Sequence, residues 1–96
     1  MIEANVRLVG VLRGISGKSD FTLKLREGDT VAMLIQKLIA EFDEEFKRVL
    51  VDPERNDPRP NVLILVNGVE ICLLQELKTK LKNGDAVTII PVSHGG

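Results

Sequence analysis

The sequence is poor in the residues that usually carry chemistry. Its 96 residues include one cysteine, Cys72, and one histidine, His94. A single cysteine excludes an internal disulfide and a cysteine-rich zinc or iron–sulfur site. With one histidine as well, no metal cluster or nucleophile–base pair is in view, so no catalytic or metal residue is assigned. Tryptophan and tyrosine are absent, and the only aromatics are Phe21, Phe42 and Phe46. That excludes a base-stacking platform. Neither sign of charge dominates, with 13 Lys and Arg against 14 Asp and Glu; a general nucleic-acid binder would carry a basic excess. No apolar run reaches the ~18 residues of a membrane span. The opening MIEANVRLVG lacks the basic, apolar and cleavage regions of a secretory signal. These absences predict a soluble cytoplasmic protein with no membrane and no direct nucleic-acid partner.

What is present suits one folded domain. Hydrophobic residues make up 44% and charged residues 28%, enough for a modest core without metal or disulfide support. Ala4–Leu12 reads as a strand in which Val6 and Leu8 flank Arg7, with Gly10 marking a bulge. Arg13–Ser19 (RGISGKS) reads as a turn-rich loop. In Asp20–Leu25, Phe21, Leu23 and Leu25 alternate with Thr22 and Lys24, which predicts a half-buried strand in an antiparallel hairpin with the first. Gly28 suits a turn, and Asp29 or Thr30 suits a helix cap. From Val31, apolar residues Leu34, Ile35, Leu38, Ile39, Phe42 and Phe46 form one stripe, predicting a single helix to about Arg48.

The second half is punctuated by turns. Asp52–Asn61 (DPERNDPRPN) holds three prolines and five charges, a loop that is neither helix nor central strand. Val62–Val66 (VLILV) is a continuous apolar strand. Asn67-Gly68 is a strong two-residue hairpin signal because both turn positions need positive φ, and Val69–Leu73 (VEICL) is the returning strand, with Cys72 expected buried and inert. Leu74–Lys82 suits one helical or 3₁₀ turn, Asn83-Gly84-Asp85 another turn, and Ala86–Pro91 the last strand. Residues 92–96 have nothing left to pair with and read as a flexible tail. The whole is an α+β roll, a mixed sheet of four or five strands packed on one long helix.

Strand alternation also predicts an outward apolar patch. If Ile64 and Val66 face the helix, Leu63 and Leu65 face away. If Val87 and Ile89 point in, Thr88 and Ile90 point out. Such a patch beside the tail suits partner recognition.

Several stretches carry a family likeness: Leu12–Ser19 (LRGISGKS), Glu27–Leu34 (EGDTVAML), Val66–Ile71 (VNGVEI) and, nearest of all, Leu81–Gly96 (LKNGDAVTIIPVSHGG). Together with the element order, they resemble the β-grasp (ubiquitin-like) fold and the MoaD/ThiS sulfur-carrier family, particularly its ubiquitin-related and small archaeal modifier branch. The loop at 52–60 departs from the shortest members and is typical of the longer ones. The likeness divides the chain into a β-grasp domain at 1–91 and a Gly-Gly tail at 92–96. It implies a substrate and carrier rather than an enzyme, with no intrinsic cofactor. Gly96, with Gly95, would be the site of activation. Val92, Ser93 and His94 would be read by the partner. That partner would be a MoeB/ThiF-type adenylating enzyme using ATP and Mg, followed by a sulfur donor protein. The product would be a thiocarboxylate for molybdopterin synthase or tRNA thiolation, or an isopeptide bond to target lysines. The alternative is a non-covalent interaction module in which Gly-Gly is incidental.

The chemistry fits the residues. A terminal carboxylate, with a pKa near ~3.5, is ionised at neutral pH and is a poor electrophile until activated. Glycines let the backbone pass close to nucleotide and enzyme. Five extended residues reach roughly 17 Å, enough to thread a pocket. Other motifs give weaker signals. Gly17-Lys18-Ser19 echoes a phosphate loop but lacks its first glycine and its following helix. Glu41, Asp43, Glu44 and Glu45 read as a solvated helix face.

Overall fold

The computed structural model describes residues 1–92. The order of elements is β1 (Ile2–Leu8), α1 (Val11–Ser16), β2 (Asp20–Leu25), α2 (Val31–Glu41), α3 (Glu44–Leu50), β3 (Val62–Val66), β4 (Val69–Glu70), 3₁₀ turns at Ile71–Leu73 and Glu76–Lys78, and β5 (Ala86–Pro91). The sheet order is β2-β1-β5-β3-β4. β1 runs antiparallel to β2 and parallel to β5, which runs antiparallel to β3. The last strand in the chain therefore lies at the centre of the sheet.

Alternation in the strands supplies one side of the core. Ile2, Ala4, Val6 and Leu8 from β1, Val62, Ile64 and Val66 from β3, and Val87 and Ile89 from β5 are buried. They meet Leu34, Ile35 and Leu38 from α2 and Phe46 and Leu50 from α3 in one cluster. A sheet with one face on helices and the other free gives this in–out pattern.

The expected single long helix is two. The chain is extended at Phe42 and Asp43, and the Asp43 side chain accepts a hydrogen bond from the Phe46 amide at 3.1 Å. An aspartate N-cap satisfies an orphan donor of a new helix and redirects the chain. Phe46 stays in the core, while Phe42 stacks at 4.5 Å from it and meets Phe21 edge-on at 5.9 Å.

The RGISGKS loop is also corrected. Residues from Val11 form α1, which opens after Gly10 (φ 62°) and closes at Gly17 in the left-handed region (φ 73°). Gly10 marks this helix entry, not a bulge, and the first strand ends at Leu8. Leu12 is the buried anchor of α1. The returning strand is likewise shorter than expected: β4 ends at Glu70 and the chain enters a 3₁₀ turn. Within that turn Ile71 is buried and Cys72 is exposed, contrary to the buried position expected for the cysteine.

The turn predictions hold at Asn67-Gly68, where φ is 50° and 81°, the doubly positive pattern of a two-residue hairpin. The proline-rich 52–61 segment is neither helix nor strand, yet it is tied together. Asp52 N–H donates to the Asp57 carbonyl at 2.9 Å, and Asn56 N–H donates to the Asp52 carbonyl at 2.7 Å.

Candidate functional site: the end of the central strand

The fold delivers the chain's last described residues to one end of the sheet. There β5 is held from both sides. Val9 N–H donates to the Ile89 carbonyl at 3.2 Å, and Val92 N–H donates to the Asn61 carbonyl at 3.0 Å. Asn61 is itself positioned by its side-chain amide, which donates to the Val49 carbonyl at 3.2 Å. Val92, expected in the unpaired tail, is instead tied to the 52–61 loop. Gly10 lies against the other flank, where an added Cβ would sit 3.8 Å from the Pro91 ring. The last described residues are thus held on both flanks. The candidates Ser93, His94, Gly95 and Gly96 lie outside the described residues.

The outer sheet face has the predicted alternation. Leu63 stands opposite Ile90, and Leu65 opposite Thr88. All four are half-buried, while their neighbours Val62, Ile64, Val66, Val87 and Ile89 are buried on the helix side. Leu63 and Ile90 pair next to the end of β5 at Pro91, and Leu65 and Thr88 lie two residues further into the sheet.

A cleft of about 260 Å³ adjoins this patch, and no sequence signal pointed to it. Its walls include Arg59, Leu63, Glu70, Cys72, Glu76 and Val92. Arg59 spans it: Nη2 lies 2.7 Å from Asp57 Oδ2 and Nη1 lies 3.6 Å from Glu76 Oε2. The hydrogen bond from Arg59 holds the Asp57 carboxyl below the usual 3.8, and the same pairing raises the Arg59 pKa. Arg59 thus ties the 52–61 loop to the Glu76 side of the cleft. The D-P-R spacing, with Asp57 two residues before Arg59, is the signal that could have found it.

Cys72 shares the cleft but is poorly suited to nucleophilic work. Desolvation first, then the hydrogen bond and charge of Glu70, push its thiol pKa up. A raised pKa disfavours the thiolate, which is the reactive form. Among the described residues no group of three or more His, Cys, Asp or Glu side chains is placed to hold a metal ion. No helix among them is long and apolar enough to cross a membrane. Gly17-Lys18-Ser19 closes α1 and enters β2, so the helix that a phosphate loop requires after it is absent there.

A five-stranded mixed sheet covering helices on one face, with its central strand leading out at one end, defines a ubiquitin-like β-grasp protein. Residues 6–96 match the ThiS family, and the chain belongs to that family. It is a ubiquitin-like carrier or modifier protein, of a group whose members are carriers and modifiers rather than catalysts. It is 30% identical over 95 residues to small archaeal modifier protein 3 of Haloferax volcanii, covering 99% of this chain and 100% of that protein. It is 31% identical over 100 residues to ubiquitin-related modifier 1 of Eremothecium gossypii, covering all of both. The solution structure of small archaeal modifier protein 1 from Methanosarcina acetivorans superposes with a TM-score of 0.84 at 28% identity, covering 100% of this chain and 98% of that one.

Proposed function

We propose that the Gly96 carboxylate is the reacting group and that an adenylating enzyme of the MoeB/ThiF type activates it. The observation that carries this reading is the extent of the family match, which runs through residue 96 and so includes Ser93-His94-Gly95-Gly96. A carboxylate oxygen attacks the α-phosphorus of ATP, pyrophosphate leaves, and an acyl-adenylate forms. Hydrosulfide released by a donor protein then displaces AMP to leave a thiocarboxylate; where the donor attacks as a persulfide, AMP leaves, an acyl disulfide forms, and a thiol reductant cleaves its S–S bond to give the same product. Alternatively, a lysine amine displaces AMP to form an isopeptide bond. ATP and Mg belong to the partner, whose cationic groups stabilise the charge developing on phosphate; the chain contributes the acyl group and a docking body. It is a substrate and not a catalyst.

The geometry supports a division of roles. The bonds from Val9 and Val92 fix where the chain departs, so a partner that grips the body also sets the reach of residues 93–96. Leu63, Leu65, Thr88 and Ile90 form the face that the adenylating enzyme grips. The enzyme reads Val92, Ser93 and His94 before it reaches Gly95 and Gly96, whose lack of a Cβ lets the backbone pass close to nucleotide.

Intact mass tests the reading. After incubation with an adenylating enzyme, ATP and a sulfur donor, a carrier shows one sulfur-for-oxygen exchange at its terminus. A modifier appears as amide-linked conjugates. Neither product, with an enzyme active on another substrate, would sink the proposal. Removal of Gly96 is expected to abolish both products and leave the circular dichroism spectrum unchanged.

A further inference from the structure

The opposite edge of the sheet carries a second surface. Among the described residues β2 pairs with β1 only and is the first strand in the sheet order. Which of its backbone groups are free follows from two bonds. Leu8 N–H donates to the Ser19 carbonyl at 2.8 Å. The β1–β2 register continues this alignment through Val6↔Phe21, Ala4↔Leu23 and Ile2↔Leu25. In an antiparallel ladder, alternate residues direct both N–H and C=O to the same neighbour. Residues 21, 23 and 25 therefore face β1, and Asp20, Thr22 and Lys24 turn their backbone groups to the open edge. The Lys24 carbonyl is indeed turned away from β1, accepting from the Lys37 ammonium at 2.8 Å. A lysine laid against an open edge is a common guard on such strands.

The sequence along this edge, Asp20-Phe21-Thr22-Leu23-Lys24, is complementary to itself when reversed. We infer that β2 is a self-association edge, at which two copies of this chain pair antiparallel about Thr22. Thr22 then exchanges both backbone bonds with Thr22 of the second copy. Asp20 stands opposite Lys24 of the second copy, and Lys24 opposite its Asp20, so both outward charge pairs are of opposite sign. Phe21 meets Leu23 of the second copy on the helix side, where both residues are half-buried in the single chain. Cross-strand pairs of these types favour a register. The arrangement is isologous and closes at two copies. Lys37 must leave the Lys24 carbonyl, and the Asp20 N–H of the second copy replaces it.

One strand pair is a small interface, so the association is weak and concentration-dependent. Sedimentation equilibrium from about 10 µM to 1 mM is expected to show a monomer–dimer equilibrium. Amide exchange over the same range should slow at Asp20, Thr22 and Lys24 and stay unchanged at Leu63, Leu65 and Ile90. Thr22→Pro removes an edge donor that β1 does not use and is expected to weaken association about tenfold, the effect of losing two backbone bonds. Lys24→Glu, an exposed change that keeps the fold, sets a carboxylate against Asp20 of the second copy and should weaken association as well. A strictly monomeric protein at 1 mM, or a dimer indifferent to both variants, would overturn the inference.

Discussion

Three residues set local features that can be tested singly. Asp43 caps α3 and separates it from α2. Asp43→Ala should cost about 1 kcal/mol, the usual value of an N-cap, read as a lowered denaturation midpoint. Gly10 adopts φ 62° where the chain enters α1 beside Pro91. Gly10→Val should destabilise by about 1–3 kcal/mol, because a β-branched residue is strained there. Asp57 gives a pH effect with a definite sign. Its carboxyl is held below its ordinary 3.8 by Arg59, so the folded loop binds its proton less readily than the unfolded chain does. The stabilisation is therefore present above about pH 4, and is lost as the pH falls through the lower, folded pKa. The protection factor of the Arg59 amide, whose N–H donates to Asp57, should fall over that acid range and stay level near neutral pH.

At the scale of elements, the outer face of β3 and β5 tests the proposed docking to an adenylating enzyme separately from folding. Leu65→Asp and Ile90→Glu place charge on half-exposed positions, with the buried Ile64 and Ile89 untouched. The folded spectrum should persist while affinity for the adenylating enzyme falls at least tenfold, as truncation of a central anchor does, measured by titration calorimetry. This face was legible in the sequence because strand periodicity is two and a continuous apolar run must expose alternate residues. Other elements were less so. α1 spans less than two turns and contains Gly14, so six residues of VLRGIS gave no periodic stripe. The break between α2 and α3 was hidden because Leu38, Phe42 and Phe46 keep a spacing of four whether or not the helix is continuous. Only Asp43, followed by two glutamates, announced a new N-terminus. Ile71-Cys72-Leu73 alternated like a strand, but its backbone curls into a 3₁₀ turn that buries Ile71 alone. For the site, the family likeness pointed to the chain's end and alternation to the face; Arg59, spanning from Asp57 to Glu76, depended on tertiary proximity.

For the whole molecule, one core shared by the sheet and all three helices holds the fold together. Phe46 is fully buried at the centre of that packing, so Phe46→Ala should cost about 3–5 kcal/mol through lost contacts and the cavity left behind. That loss is large beside the total stability of a small domain, and chemical denaturation should detect partial unfolding in dilute buffer. The consequence for handling is that core variants cannot report on recognition; only face, edge and tail variants can.

The place of β5 has a consequence for synthesis. Of the five strands among the described residues a ribosome makes β5 after the other four, yet it lies between β1 and β3 and joins the two halves of the sheet. Until Pro91 has emerged, β2–β1 and β3–β4 are separate pairs without a shared neighbour. The β1–β5 contacts span most of the chain, which makes closure a late and comparatively slow event. A nascent chain stalled before Ala86 therefore lacks the β5 half of the outer patch, since Thr88 and Ile90 have yet to meet Leu65 and Leu63.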